Sequence, residues 1–325
     1  MARRCRIEYP GAVYHVINRG NYRTWVFEEA PTKEAFEICL WETCERFNWV
    51  LHAHVVMGNH FHLAVETPEG NLSSGMHWLQ STFSTRFNRM RSERGHVFQG
   101  RFKALLVDPS DGGLVRLCHY INLNPCRAGL CSVDELRHYR YSSFWYLYNP
   151  DSRKDFMSPQ TALQGAGALC DSLAGWTSYA EYLSLQLQSG SVGKGPAYES
   201  LSTGWAIGSQ SFQISLLKSQ KADVLTRTWD AKGAMQAREL SWEVALNQCL
   251  STLTVAERES QIKSSPWRVA VAAWMKKNTS VSNTWLAEHL QMGSPAYLSR
   301  LIGDTKYITH EVNGLCSRMN VKCEA

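Results

Sequence analysis

The sequence has no hydrophobic run long enough to cross a membrane. No apolar stretch in the 325 residues approaches the roughly 18–20 residues that a transmembrane helix needs. The N-terminal residues "MARRCRIEYPG" contain arginines, but no apolar segment follows them, so no secretory signal peptide is predicted. These absences predict a soluble, cytoplasmic protein without a membrane partner.

The ten cysteines form neither a CxxC pair nor the regular spacing of a disulfide scaffold. In a chain of this length without an export signal, they are expected to be reduced thiols, many of them buried. The sequence also has no internal repeat. A length of 325 residues allows two domains, or one domain with extensions.

Histidine is scarce after residue 140, because nine of the eleven histidines precede it. Four of them lie close together in "LHAHVVMGNHFHL" (51–63). The net charge of +5 says little by itself, but basic residues are concentrated between residues 72 and 107, where Glu93 is the single acidic residue. Such a cluster is typical of a surface that binds a polyanion. Its members are Arg86, Arg89, Arg91, Arg94, Arg101 and Lys103.

Residues 1–148 alternate strand-like and helix-like patterns. Strands are predicted at 12–17, 49–56, 60–67 and 97–108, and helices at 32–47, 72–91 and 112–124. Thr32 is the expected N-cap of the first helix, and Pro125 is expected to end the last one. The order β-α-β-β-α-β-α predicts an α+β fold in which helices pack on an antiparallel sheet, ferredoxin-like in outline.

The chain changes character at "YNPDSRKDFMSPQ" (148–160), whose Pro, Asp and Ser content indicates a boundary. The remaining region is predicted to be mainly α-helical. We expect a helical extension over 149–260, interrupted by a Gly/Ser-rich stretch at 188–212. Residues 261–310 form three short predicted helices, of which the second (about 282–290) and third (about 294–302) flank a tight turn at "QMG". This is the layout of a helix-turn-helix, whose last helix can enter a major groove.

His60 and His62 lie on one face of their predicted strand, roughly 7 Å apart. Two imidazoles so placed can bind one divalent ion and leave positions for substrate oxygens. Whether His52 and His54 join them depends on the hairpin. A two-residue turn at Gly58-Asn59 places Val55 opposite His62 and turns the first pair away, whereas a three-residue loop permits a four-histidine cluster. We prefer the two-residue turn, because Gly-Asn suits it.

The helix predicted at 112–124 supplies further candidate groups. Tyr120 and Asn124 lie four residues apart and therefore share a face, with Arg116 one turn earlier. A third ligand and a reactive hydroxyl are what a two-histidine site needs for chemistry.

Two motifs resemble those of the REP-associated tyrosine transposases, which belong to the HUH single-tyrosine nucleases. "MGNHFHL" is similar to the family pattern "MPNHxHL", and "HYINLNPCRAGL" is similar to "YIxxNPVRAGL". The chain departs at Gly58 from the usual proline and at Cys126 from the usual valine, and neither position supplies a reacting atom. The resemblance covers about residues 5–148. "GWAIGSQSF" and the trihelical segment also resemble the C-terminal extension of the longer family members.

The resemblance implies a metal-dependent single-stranded DNA endonuclease and strand transferase that cleaves hairpin-containing repeat DNA through a covalent 5′-phosphotyrosine. It implies Tyr120 as the nucleophile, His60 and His62 as ligands of Mg²⁺ or Mn²⁺, and Asn124 as the third ligand. The metal and Arg116 are expected to help Tyr120 ionise, because the unperturbed tyrosine pKa is ~10. The residues expected to contact DNA are Arg86, Arg89, Arg91, Arg94, Arg101, Lys103, Arg116 and Arg127.

The expected partners are a single-stranded DNA hairpin and, for the trihelical segment, duplex DNA. Phe83, Phe87, Phe98 and Phe102 are available for base stacking, although core positions are the more common role of such residues. The resemblance places the protein at the nucleoid and leaves monomer and homodimer open.

Two other functions compete with the nuclease. One is a sequence-specific DNA-binding regulator that uses the trihelical segment and keeps a non-catalytic nuclease fold. The other is a four-histidine zinc hydrolase, which requires the three-residue loop and gives Tyr120 no role.

Overall fold

The computed structural model describes residues 6–188, 201–219, 231–304 and 306–323. The chain divides into two compact units, residues 1–234 and residues 235–325. The N-terminal residues before Arg6, and residues 189–200 of the Gly/Ser-rich stretch predicted at 188–212, lie outside the described residues. No helix in the described ranges combines the length and apolar character needed to span a bilayer.

The first unit contains a five-stranded sheet and eight α-helices among the residues described. The strands are β1 (Ala12–Arg19), β2 (Val50–Val56), β3 (His60–Thr67), β4 (Lys103–Val107) and β5 (Ala206–Ile207). The helices are α1 (Ala30–Phe47), α2 (Leu72–Arg91), α3 (Gly113–Asn122), α4 (Asn124–Arg127), α5 (Ser143–Tyr148), α6 (Gln160–Gly165), α7 (Leu173–Gln188) and α8 (Gln210–Ser219).

The strand order in the sheet is β2-β3-β1-β4-β5. The first four strands pair antiparallel, and β5 adds to β4 in parallel. The predicted α+β class and the predicted succession β-α-β-β-α-β-α are therefore confirmed. The edge strand β5 was not predicted, because two residues are too few to show an alternating pattern.

The hairpin between β2 and β3 has the two-residue turn. Val55 pairs with His62, and the Met57 N–H donates to the His60 carbonyl at 2.8 Å. The prediction for His54 is confirmed, because it pairs with Leu63 and points away from the His62 face. The prediction that His52 also faces away from His62 is wrong. A register shift between Leu51 and Ala53 interrupts the alternation, and His52 contacts Glu66, which lies on the same face of β3 as His62.

The two faces of the sheet are covered by different helices. On the Phe61 face, α1 and α2 enclose an aromatic core in which the rings of Phe36 and Phe61 lie 4.6 Å apart. On the opposite face, α3 packs against β2 and β3. This second core reaches past residue 148, because Tyr179 and Leu183 of α7 are fully buried in it. The described residues of 149–207 thus pack with the sheet they follow.

The four phenylalanines considered for base stacking are all buried, with no more than 7% of any side chain exposed. Phe83 and Phe98 belong to the aromatic core, their ring centroids 5.7 Å apart. The core role is therefore the correct one for Phe83, Phe87, Phe98 and Phe102.

Three predicted boundaries are wrong for identifiable reasons. Helix α1 begins at Ala30 because Pro31 is suited to the first turn, so Thr32 lies inside the helix, its hydroxyl donating to the Glu29 carbonyl. Strand β4 begins only at Lys103, since Gly100 adopts a φ of 123°. Pro125 lies in the first turn of the short helix α4, and the break falls at Leu123.

The second unit is helical. Its helices are α9 (Ala231–Ser251), α10 (Val255–Arg258), α11 (Pro266–Asn278), α12 (Asn283–His289), α13 (Pro295–Gly303) and α14 (His310–Cys323). The three helices predicted in 261–310 are α11, α12 and α13. Thr305, within that range, is outside the described residues. The hydrophobic core of this unit extends beyond the three helices on both sides, from Leu246 to Met319.

The turn between α12 and α13 follows from local chemistry. Gly293 has a φ of 87°, a conformation that glycine adopts without strain. The side chains of Ser282 and Ser294 cap the two helices by accepting from the Trp285 and Tyr297 amides.

Candidate active site

His60 and His62 stand at the start of β3, immediately after the turn. Their ring centroids are 5.0 Å apart and the ring planes are nearly perpendicular, at 81°. Both line a cavity of about 410 Å³. Tyr120 and Asn124 line the same cavity, as do Lys103 and Arg127. The fold thus brings together the histidine pair and the α3–α4 pair that the sequence placed sixty residues apart.

Hydrogen bonds fix the proton on the Nδ1 atom of each imidazole. His60 Nδ1 donates to Asn59 Oδ1 at 2.6 Å. His15 Nδ1 donates to the Leu201 carbonyl at 2.6 Å, which makes His15 Nε2 an acceptor in the neutral ring. That atom lies 2.8 Å from His62 Nδ1, which must therefore donate to it. In both His60 and His62, Nε2 is left with the lone pair that can bind a metal ion.

The three imidazoles are held in the neutral form. Burial, reinforced by the charge of Arg19, lowers the pKa of His60 to about 4. Burial lowers the pKa of His15 to about 4 as well, although its hydrogen bond to the Leu201 carbonyl opposes the shift. Burial, followed by the charges of His15 and His60, holds the pKa of His62 well below its usual value. At neutral pH no proton competes for the two Nε2 atoms.

Tyr120 and Asn124 are fixed relative to each other by the break between α3 and α4. The Asn124 Nδ2 donates to the Tyr120 carbonyl at 2.9 Å, so Asn124 Oδ1 is the atom left to bind a cation. The Tyr120 ring, only 6% exposed, meets the edges of His62 at 5.6 Å and His15 at 5.8 Å between centroids. The tyrosine is thereby adjacent to one of the two candidate ligands.

The donor set fits a weakly held divalent cation. In the described part of the chain, no three His, Cys, Asp or Glu side chains come together to hold a metal. The candidate ligands are therefore two neutral imidazoles and one amide oxygen. Such a set suits Mg²⁺ or Mn²⁺ when phosphate oxygens or waters complete the shell.

Arg127 lies over Tyr120, its guanidinium carbon 4.7 Å from the ring centroid. Sequence reasoning gave this place to Arg116. That side chain instead donates to the Asp111 carbonyl at 3.0 Å, at the beginning of α3. Arg127 was among the residues expected to contact DNA, but its position over the tyrosine follows from the helix break, which the sequence did not reveal.

The predicted basic cluster is divided by the fold. Lys103 lines the Tyr120 cavity, whereas Arg89 and Arg101 are exposed elsewhere. Arg86 forms an ion pair with Glu42 at 2.8 Å. Arg91 pairs with Glu29 and Glu93, each at 3.4 Å. Glu42 lies in α1 and Glu29 just before it, so both are distant in sequence from the basic cluster. The local charge balance along 72–107 therefore overstated the positive charge of this surface.

His52 and His54 do not line the Tyr120 cavity. His54 Nε2 lies 3.0 Å from Glu37 Oε1 on α1, and His52 contacts Thr161 of α6 at 2.9 Å. Both pack against helices, as expected for the two-residue turn. The four-histidine zinc site is therefore excluded.

His15 is one of the residues of this site that sequence reasoning missed, and Arg19, which lines the cavity, is another. His15 bonds directly to a candidate ligand. It lies in "AVYHVI", where it interrupts an apolar strand, and that interruption was the available signal. Its role depends on the pairing of β1 with β3, which places Ile17 opposite His62 and His15 beside it.

Comparisons with known proteins agree with the motifs. Residues 9–124 match the family model described as transposase IS200 like, and the matched region includes His60, His62, Tyr120 and Asn124. No curated protein matches the chain. A solved structure of a REP-associated tyrosine transposase bound to a REP hairpin is similar, with 16% sequence identity and a TM-score of 0.38 over 47% of this chain and 89% of that one. Residues 9–124, about a third of the chain, are therefore similar to the IS200-like transposases.

Proposed function

We propose that the chain is a metal-dependent single-stranded DNA endonuclease and strand transferase that forms a covalent 5′-phosphotyrosine at Tyr120. The observation that carries the proposal is the convergence of Tyr120, Asn124 and two neutral imidazoles in one cavity that also contains Lys103 and Arg127. A tyrosine nucleophile and a divalent-cation site are groups that phosphodiester transesterification uses, and a third basic side chain, Arg19, also lines the cavity. The match of residues 9–124 to the IS200-like transposase model supports a transposase in general terms.

His60 Nε2, His62 Nε2 and Asn124 Oδ1 are the atoms that would hold Mg²⁺ or Mn²⁺. When bound, the cation would withdraw charge from a phosphate and help to orient it for in-line attack. His15 and Asn59 keep the protons on the far side of the two imidazoles, so both ligand atoms stay available.

In the proposed reaction the Tyr120 oxygen attacks phosphorus, and the bond from phosphorus to the 3′ oxygen breaks. The phenol proton passes to solvent, and the departing 3′ oxygen takes a proton from water. Arg127 assists because a guanidinium over the ring attracts a phenolate more strongly than a phenol. The tyrosyl phosphodiester retains the energy of the cleaved phosphodiester bond. Another 3′-OH can therefore attack its phosphorus, release Tyr120 and join new ends.

We infer that the substrate is a DNA hairpin with single-stranded flanks, as in the REP hairpin complex of the similar transposase. Lys103 and Arg127 would contact the phosphate that is cleaved, and Arg86, Arg89, Arg91, Arg94, Arg101 and Arg116 the rest of the backbone. We further propose that the protein acts in the cytoplasm at the nucleoid, as a monomer or homodimer.

A denaturing gel tests this function. The purified chain is incubated with single-stranded DNA from the sequences flanking its own gene, with Mg²⁺ or with EDTA. A shifted protein–DNA band that requires both Mg²⁺ and Tyr120 supports the proposal, with Tyr120→Phe as the matched variant. Tyr120→Phe removes one hydroxyl, so it is expected to bind the DNA while forming no band.

The second unit favours a second candidate, duplex DNA binding. Helices α12 and α13 have the helix-turn-helix arrangement, and α13 buries Leu298 and Leu301 while leaving Ser299 and Arg300 exposed. Its exposed face could enter a major groove. Tight duplex binding without any covalent band would favour a regulator over the nuclease.

A further inference from the structure

The loop between β1 and α1 carries the two most exposed large aromatic side chains in the described ranges up to residue 188. Tyr22 is 88% exposed and Trp25 is 64% exposed. Exposure of two large rings on one short loop is unusual for residues that only stabilise the fold, since an aromatic side chain can bury about 150–250 Å² of surface. The loop is therefore a candidate surface for a flat apolar ligand.

This loop is hydrogen-bonded to the hairpin turn at both ends and strained in its middle. Gly20 N–H donates to the Asn59 carbonyl at 2.8 Å, and Phe27 N–H donates to the Gly58 carbonyl at 2.9 Å. Both bonds go to the turn that precedes His60. Between them, Tyr22 and Arg23 adopt φ angles of 50° and 62°, a left-handed conformation that non-glycine residues rarely adopt. Such backbone strain is concentrated at ligand-binding sites.

Trp25 lies on the backbone of Gly58. A Cβ atom at position 58 would come within 2.5 Å of two carbons of the Trp25 ring, so a residue with a side chain cannot coexist with this ring position. Gly58 is also the position at which "MGNHFHL" departs from the proline of the family pattern. The departure and the exposed tryptophan are thus two parts of one arrangement, two residues before His60.

The two rings line a cavity of about 570 Å³ that shares no lining residue with the Tyr120 cavity. Its charged residues include two arginines, Arg91 and Arg94, and two glutamates, Glu28 and Glu93. Because the formal charges of these four cancel, their net charge does not by itself attract a phosphate into the cavity, although Arg91 and Arg94 can still contact the backbone at its edge. Carboxylates and aromatic rings instead suit a nucleobase, whose amino groups donate hydrogen bonds and whose face stacks.

We propose that this cavity binds an unpaired base of the single-stranded DNA substrate, stacked on Trp25 and Tyr22, close to the phosphate that is cleaved. The inference rests on the proposed function for its substrate, but it can be tested by binding alone. A base held here would place the strand in register with His60, because the loop that carries the rings is bonded to the turn that carries the ligand.

The experiment measures the Kd of a fluorescein-labelled single strand from the flanking sequence, by anisotropy, on the full chain with Tyr120→Phe to prevent cleavage. Trp25→Ala is expected to raise Kd about 5- to 150-fold, the effect of losing one base–aromatic stack. Trp25→Phe should restore most of the affinity. Leu173→Ala is the matched control, because Leu173 is 65% exposed on the same unit and outside both cavities.

Gly58→Ala tests the same ring without removing it, since its Cβ displaces the indole, and it should weaken binding as Trp25→Ala does. An abasic scan of the oligonucleotide then locates the base. One abasic position should weaken binding to the Trp25 chain and have no further effect on Trp25→Ala. An unchanged Kd for Trp25→Ala, or an abasic effect of equal size in both chains, would overturn the inference.

The failure of this inference and that of the proposed function are distinguishable. A Tyr120-dependent covalent band together with an unchanged Trp25→Ala Kd overturns the base site alone. Coupling between Trp25 and one abasic position, without any covalent band from the wild-type chain, overturns the nuclease and keeps the base site. Tighter Trp25-dependent binding to RNA of the same sequence overturns the assignment to DNA.

Discussion

The hydrogen bond from His62 to His15 predicts a specific effect of replacing His15 by phenylalanine. The substitution keeps a ring in the buried space but removes both ring nitrogens. His62 Nδ1–H loses its acceptor at 2.8 Å, and the Leu201 carbonyl loses its donor at 2.6 Å. A buried polar group left without a partner costs ~1–3 kcal/mol, so the two together reduce the free energy of unfolding by about 2–6 kcal/mol.

The same substitution is expected to weaken metal binding. Without an acceptor at Nδ1, His62 can place its proton on Nε2, where it blocks the ligand atom. Loss of such an outer partner typically lowers metal affinity by about 10–100-fold. His15→Gln should retain much of the affinity, because its side-chain oxygen can accept the bond from His62.

Two measurements on the full chain test this reasoning. Nitrogen-15 chemical shifts of the metal-free protein should show His62 protonated at Nδ1 in the wild type and a mixture of tautomers in His15→Phe. Electron paramagnetic resonance titration with Mn²⁺ then gives the affinity. His119→Phe is the matched control, since it removes another buried histidine, bonded to Tyr179 at 2.9 Å, away from the cavity. Wild-type Mn²⁺ affinity in folded His15→Phe would refute the account.

Three further predictions concern acid stability, the tyrosine and the amide ligand. Burial lowers the pKa of His119 to about 4, so between pH 6.5 and 4 the unfolded chain binds a proton that the folded chain does not. As the pH falls through this range, His119 should reduce the free energy of unfolding by about 3 kcal/mol. Urea titrations should show a smaller reduction in His119→Phe, and an equal reduction would contradict the assignment. Arg127→Gln should slow single-turnover adduct formation at Tyr120 by about 2- to 30-fold, which corresponds to a cation–π contact of roughly 0.5–2 kcal/mol. Arg127→Lys should slow it less. An unchanged rate in Arg127→Gln would remove Arg127 from the mechanism. Asn124→Ala should lower Mn²⁺ affinity. The control is Asn122→Ala, because the Asn122 amide donates to Tyr179 outside the cavity; this variant should destabilise the fold without changing the affinity. Equal affinities in both variants would exclude the Asn124 oxygen as a ligand.

Local patterns predicted the elements that position the histidine pair. Strand β3 and helix α2 have the predicted bounds, because alternation and helical spacing continue along them without a proline. The register of the β2–β3 hairpin followed from Gly58-Asn59, since turn length alone fixes which side chains face each other.

Contacts between distant segments were not predictable in the same way. His15 acts on His62 through the pairing of β1 with β3. Arg127 reaches Tyr120 through a helix break at Leu123, whereas the sequence predicted a helix that continues to residue 124. The aromatic side chains illustrate the same limit. Sequence composition did not separate the buried Phe83 from the exposed Trp25, because that distinction depends on which face of the sheet α2 covers.

The central claim is that Tyr120 becomes covalently linked to DNA, and peptide mass spectrometry tests it most directly. The adduct formed with Mg²⁺ is digested with nuclease and protease, and the peptide that carries a nucleotide phosphate is sequenced. The account predicts the phosphate on Tyr120, joined to the 5′ end of the cleaved strand. A phosphate on any other residue, or an adduct that persists in Tyr120→Phe, would contradict it.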